Sequence, residues 1–122
     1  MKVYFDGGCR PNPGTMEIGV VAVGQTIVLP DVGIGTSMDA EWLALLHAVE
    51  IARSLNLSDF VLLGDAADVV AKANGRIKCR GSAAEHCARF HALVAEGPKP
   101  RVRYIKRSQN LAGIALAKLH PR

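Results

Sequence analysis

Three strand-like segments follow one another within the first thirty residues of this chain, and after them each strand stands alone between helices. Residues 2–6, 17–23 and 26–30 are short runs carrying β-branched and aromatic side chains, and Gly24-Gln25 offers a tight turn between the second and third. These segments read as an antiparallel meander. From Asp39 to about Ser54 the run DAEWLALLHAVEIARS holds strong helix formers, apolar residues at Leu43, Leu46 and Val49, and acids near its start that suit the helix dipole. Asp59 to Gly64 reads as a buried strand, followed by a helix from Asp65 to Ala73 that stops at Asn74-Gly75. A helix over 83–96 closes at Gly97-Pro98, residues 102–105 form the last strand, and Leu111 to Leu119 the last helix. Strands isolated by helices cannot pair through hairpins, so they join a sheet by right-handed crossovers that lay helices on its faces. The expected class is α/β: a five-stranded mixed sheet, a three-stranded antiparallel meander plus two parallel strands, with helices packed on it.

A chain of 122 residues has room for one core, so 1–122 is expected to be a single domain, and a monomer. With 49% hydrophobic and 21% charged residues it reads as globular, not disordered or fibrous. Its apolar stretches are interrupted well before the ~18 residues of a membrane span, and Lys2-Val3-Tyr4-Phe5 opens a strand where a signal segment would be basic and then apolar. A cytoplasmic location without membrane contact is the expectation. Cys9, Cys79 and Cys87 form no paired framework, which favours reduced thiols. Cys79, His86, Cys87 and His91 raise zinc as an alternative, but they lack the two tight ligand pairs of a zinc site.

The net charge of +4 favours an anionic partner, and its placement matters more than its size. Arg76, Lys78 and Arg80 alternate along one segment; Arg101 and Arg103 alternate along another that runs on to Lys106-Arg107. In extended chain, alternate residues share a side, so each set could face a phosphate backbone; a solvated polar face explains either set equally well.

Three acids sit near element edges: Asp6 at the end of the first strand, Glu41 in the first turn of the long helix, and Asp65 just after the fourth strand. With the first and fourth strands adjacent and parallel, Asp6 and Asp65 meet at their carboxyl ends and the helix brings Glu41 alongside. Clustered carboxylates repel one another unless cations neutralise them. Hard oxygen ligands of this kind suit Mg2+ or Mn2+. Taken singly, each acid is as well explained as a turn, cap or dipole residue.

The segment Tyr4-Phe5-Asp6-Gly7-Gly8-Cys9-Arg10-Pro11-Asn12-Pro13-Gly14 resembles the signature of the type 1 ribonuclease H family. Ala40-Glu41-Trp42-Leu43-Ala44-Leu45 is similar to the family's helix with the second acid, and Gly64-Asp65-Ala66-Ala67-Asp68-Val69-Val70 to its Gly-Asp-Ser-x-x-Val-Val segment. Ile105-Lys106-Arg107-Ser108-Gln109-Asn110, with Leu116-Ala117-Lys118 behind it, resembles the last strand, loop and helix, nearest to the short bacterial, archaeal and plant-like branch. The resemblance implies a ribonuclease H-like fold and cleavage of the RNA strand of an RNA/DNA hybrid with two divalent cations. It further implies that Asp6 bridges both ions, that Glu41 and Asp65 hold the leaving-group side, and that backbone around Gly7, Gly8, Cys9 and Asn12 reads RNA 2′-hydroxyls. Arg107 and Asn110 are placed by it near substrate or the rim of the site.

Departures accompany the matches. The family's final helix opens Asn-x-x-Ala-Asp, and Gly113-Ile114 stand at its Ala-Asp positions, so the fourth carboxylate is missing; no acid follows Glu96. Water, His120 or substrate phosphate would have to fill in for it. Met38 stands where many relatives carry a substrate-contacting Asn, and Ala66 replaces a Ser. A non-catalytic module that binds hybrid duplex or a protein partner, and a nuclease acting on other structured nucleic acids, are the alternatives that this pattern leaves open.

Overall fold

The computed structural model describes residues 1–120. Its elements are β1 (Lys2–Cys9), β2 (Gly14–Ala22), β3 (Gln25–Leu29), β4 (Ile34–Gly35), α1 (Ser37–Ser54), β5 (Val61–Gly64), α2 (Ala67–Ala73), α3 (Ser82–Val94), β6 (Arg101–Tyr104) and α4 (Leu111–Ala117), with a 3₁₀ turn over Arg107–Gln109 before the last helix. The sheet runs β3-β2-β1-β5-β6. Its first three strands are antiparallel, and β1, β5 and β6 are parallel. The mixed α/β arrangement is the expected one, with β4 added as a two-residue strand on Gly14 and Thr15 of β2.

Local chemistry moves several boundaries. The hairpin turns at Val23-Gly24, both at positive φ (52° and 74°), one residue earlier than Gly24-Gln25, since Ala22 pairs with Gln25. Strand β1 does not stop at Asp6. Its Gly7 and Gly8 keep the ladder through Ile18 and Glu17, ending at Cys9 opposite Met16. Helix α1 begins at Ser37 because Thr36 caps it: Thr36 Oγ1 accepts from Asp39 N–H at 3.1 Å, and Asp39 Oδ2 accepts from Thr36 N–H at 3.0 Å.

One face of the sheet carries α1, α2 and α3 over the main core. Trp42, Leu45 and Val49 of α1 are fully buried against Val3, Phe5, Ile18, Val20 and Leu62. His86 of α3 reaches back to α1, with Nε2 2.7 Å from Asp39 Oδ1 and its ring stacked on Trp42. Burying a side chain of this size removes roughly 1.5–3 kcal/mol of unfavourable exposure. Among the described residues the other face is covered by α4, where the Ala112 carbonyl and the Leu116 side chain lie over Gly19 of β2. Among the described residues, no helix is long and apolar enough to cross a membrane.

Candidate active site

The register of the parallel strands builds the site. Lys2, Val3 and Tyr4 pair with Val61, Leu62 and Leu63, so continuing the ladder brings Asp65, just beyond β5, level with Asp6 in the middle of β1. Glu41 arrives from α1. It lies in the second turn, since the helix starts two residues earlier than its apolar pattern indicates. The close approach of α1 to β1 requires Gly7: a Cβ there would collide with the Ala40 backbone. At that point the Gly7 N–H donates to Glu41 Oε1.

One oxygen from each of Asp6, Glu41 and Asp65 lies within 4.8 Å of the others. Three anions so close, with water partly excluded, cannot all ionise freely. Burial first, and then the charge of Asp65, raises the Asp6 carboxyl to about 6; burial and the Asp6 charge push Glu41 up to about 9. These are hard oxygen donors held together against their own repulsion, and a divalent cation fits them. Asp65 is braced by Asn110, whose Nδ2 donates at 3.0 Å to Asp65 Oδ2 and at 3.0 Å to the Phe5 carbonyl, while Oδ1 accepts from Ala112 N–H at 3.1 Å. Asn110 is fully buried with both Nδ2 hydrogens engaged, and it braces Asp65 and caps α4.

The acids open into a cavity of about 550 Å³ that Gly7, Gly8, Cys9 and Arg107 also line. Arg107 is exposed, and its charge partly offsets the rise at Asp6. The Cys9 thiol is turned inward, donating to the carbonyls of Pro11 and Gly35 at 3.2 Å each. Asn12 is exposed, with Oδ1 accepting from Ser37 N–H at 3.1 Å, which ties the Asn-Pro-Gly loop to the start of α1. Met38 packs partly buried against the core, and Ala66 precedes α2 with no side-chain cap. Ile114 lines the cavity at 44% exposure, and a Cβ on Gly113 would stand 3.3 Å from Asp6 Oδ2.

The cationic segments divide. Arg76, Lys78 and Arg80 are exposed in the connection between α2 and α3, which is not a strand. Arg101 and Arg103 are exposed on β6 with Val102 buried between them, and Arg101 pairs with Asp59 at 3.6 Å. Of the residues of the zinc alternative, His86 is engaged by Asp39 and the Cys87 thiol points toward the Lys72 carbonyl at 3.8 Å; among the described residues the four do not gather into a ligand cluster. A pair that the sequence did not disclose joins buried Glu17 to exposed His120, whose Nε2 lies 2.9 and 2.8 Å from the two carboxylate oxygens. Only the β1–β2 register, which sets Glu17 opposite Gly8, shows that this acid borders the cavity.

A mixed sheet in this strand order, with three carboxylates where β1 and β5 run parallel, is the arrangement of a ribonuclease H-like domain. The model of the reverse transcriptase-like family matches residues 5–120, and the chain belongs to that family, among its type 1 ribonuclease H members. Ribonuclease HI of Halobacterium salinarum is 36% identical over 70 residues, a match that takes in 53% of this chain and 35% of that protein; the chain thus aligns with about a third of the length of this curated relative. The crystal structure of ribonuclease H1 from the same archaeon superposes with a TM-score of 0.79 at 26% identity, covering 96% of this chain and 97% of that one. LC11-RNase H1, solved in complex with an RNA/DNA hybrid, also gives 0.79 at 23% identity, covering 90% of this chain and 88% of that one, and speaks for the fold alone.

Proposed function

We propose that this chain is a metal-dependent endoribonuclease that hydrolyses the RNA strand of RNA/DNA hybrids. The observation that carries the reading is the convergence of Asp6, Glu41 and Asp65, two of them with carboxyls raised by burial and mutual repulsion, in a chain of the type 1 ribonuclease H family. Two Mg2+ or Mn2+ ions, when bound, would neutralise the acids, activate water toward the scissile phosphorus and stabilise the departing 3′-oxygen. Asp6, which also faces Gly113 of α4, would help to hold both ions, and Glu41 and Asp65 would hold the one on the leaving-group side. Asn110 holds Asp65 in place, and the Gly7 N–H fixes one Glu41 oxygen, so that ligand geometry is set before substrate arrives. Gly7, Gly8 and Cys9 offer backbone close to the sugar edge of the RNA strand, the Asn12 loop borders them, and Arg107 meets a phosphate at the rim. In-line displacement leaves a 5′-phosphate on one fragment and a 3′-hydroxyl on the other.

The α4 side of the site bears Gly113 and Ile114 and no acid, which favours one second reading, a module that binds hybrid without cutting it. An end-labelled RNA/DNA hybrid incubated with Mg2+ and with Mn2+ separates the two. Metal-dependent shortening of the RNA strand supports the nuclease; retention of intact hybrid without cleavage in either metal supports the module.

A further inference from the structure

Another carboxylate borders the same cavity from the side where α4 has no acid. Glu17 pairs with Gly8 across the β1–β2 ladder while Asp6 pairs with Gly19, and the period of two puts Glu17, Gly19, Asp6 and Gly8 on one face. Diagonal neighbours in such a ladder stand about 7–8 Å apart, within reach of long side chains. Gly8 leaves the space that the acid occupies, for a Cβ there would lie 3.1 Å from Glu17 Oε1.

Glu17 is only 6% exposed. A carboxylate so buried needs hydrogen-bonding partners, and His120, just past α4, brings Nε2 within 2.9 and 2.8 Å of its two oxygens, with Arg10 Nε 4.0 Å from Oε1. The fold alone does not require a carboxylate here: buried charged side chains exchanged for apolar ones of similar size are often neutral or stabilising. Nor does a cavity for a polyanion gain from an extra negative charge unless a cation shares it. We infer that Glu17, oriented by His120, is a positioning residue for a divalent cation held at Asp6, acting from just outside the ligand set formed by Asp6, Glu41 and Asp65. This role rests on the hydrolase reading given above. An outer carboxylate of this kind accepts hydrogen bonds from the water that Mg2+ and Mn2+ retain, and so fixes the cation on its open side.

Calorimetric titration of the chain with MnCl2, for wild type, Glu17→Gln and His120→Ala, tests the assignment apart from any turnover. Gln keeps the size of Glu and can still accept from His120, so Glu17→Gln should melt within a few degrees of wild type yet bind Mn2+ 10–100-fold more weakly, the range for loss of an outer partner. His120→Ala should weaken binding in the same direction by a smaller factor. If Glu17→Gln is unstable, Glu17→Asp, which keeps the charge but withdraws it by one methylene, should show a loss of the same sign. A changed melting temperature with unchanged Mn2+ affinity makes the pair a structural clasp and overturns the inference. Weakened binding in a protein that never cleaves hybrid would reject the hydrolase reading while Glu17 keeps its place at the cation; absence of Mn2+ binding by wild type would reject both.

Discussion

Burial and the neighbouring Asp6 charge hold the Glu41 carboxyl protonated up to about 9, and Asp6 itself loses its proton only near 6. Both values lie above those of the same groups in an unfolded chain, about 4. The folded protein therefore binds more protons than the unfolded one between about pH 4 and 9. The contribution of these two groups to stability is fully present below that window and is lost as pH rises through 6 for Asp6 and through 9 for Glu41. Without divalent cation, melting temperature should fall over this range for site reasons; with saturating Mg2+ or Mn2+ the fall should shrink, and the cation-induced gain should grow with pH. Glu41→Gln should raise the cation-free melting temperature at pH 8 by a few degrees and remove most of the response to metal. A Glu41→Gln protein that melts lower than wild type at pH 8 would contradict this account of the site. Asn110 carries a different load, since its one side chain caps α4, satisfies the Phe5 carbonyl and holds Asp65. Losing a cap and leaving a buried carbonyl unpaired predicts that Asn110→Ala destabilises by about 2–4 kcal/mol in denaturant unfolding.

At the scale of elements, α2 and α4 give the sharper tests. Ala66 precedes α2 without a side-chain acceptor for its first N–H groups, so Ala66→Ser should stabilise the protein by about 1 kcal/mol, read as a higher urea midpoint at unchanged slope. Ile114 is 44% exposed and lines the cavity, so Ile114→Asp should fold normally and raise Mg2+-dependent cleavage more than Mn2+-dependent cleavage, because Mg2+ tolerates an incomplete octahedral ligand set less well. Gly113 is the worse place for an acid, with Asp6 already 3.3 Å from any Cβ placed there. The elements themselves were legible in hydrophobic period and turn chemistry, and their order gave the mixed sheet. Their ends were less so. Val23 at positive φ is a β-branched residue in a position that glycine or asparagine usually marks, and it shifted the hairpin by one residue. Gly7-Gly8 looked like the end of a strand because their use depends on α1 packing against them, a tertiary fact. The acids were legible because type and spacing suffice to nominate them. Glu17 was not, since its burial depends on strand register and on His120, which lies 103 residues away along the chain.

Over the whole molecule, the cations must be judged by where the fold leaves them. Arg107 borders the acids, Arg76, Lys78 and Arg80 stand on the α2–α3 connection, and Arg103 is exposed on β6. If these side chains track phosphates, hybrid affinity should fall steeply with salt, each phosphate neutralised adding about −0.9 to the log–log slope for B-form duplex, and charge removal at Arg76, Lys78 and Arg80 should flatten that slope. A slope unchanged by that triple substitution would return the connection to a solvated face. Whether three convergent acids make this domain a nuclease for hybrids is tested by a cleavage assay on matched duplexes. Wild type and Asp6→Asn are incubated with a labelled RNA/DNA hybrid and with all-DNA and all-RNA duplexes of the same sequence, first in chelator and then after Mn2+ is added back. The RNA strand of the hybrid alone should be cut, only after Mn2+ returns, with 5′-phosphate ends, and with a loss of at least about a hundredfold in Asp6→Asn, on the order expected when a group that stabilises the transition state directly is removed. Hybrid cleavage that persists undiminished in Asp6→Asn, or an intact hybrid in the presence of a bound and folded wild type, would contradict the nuclease reading.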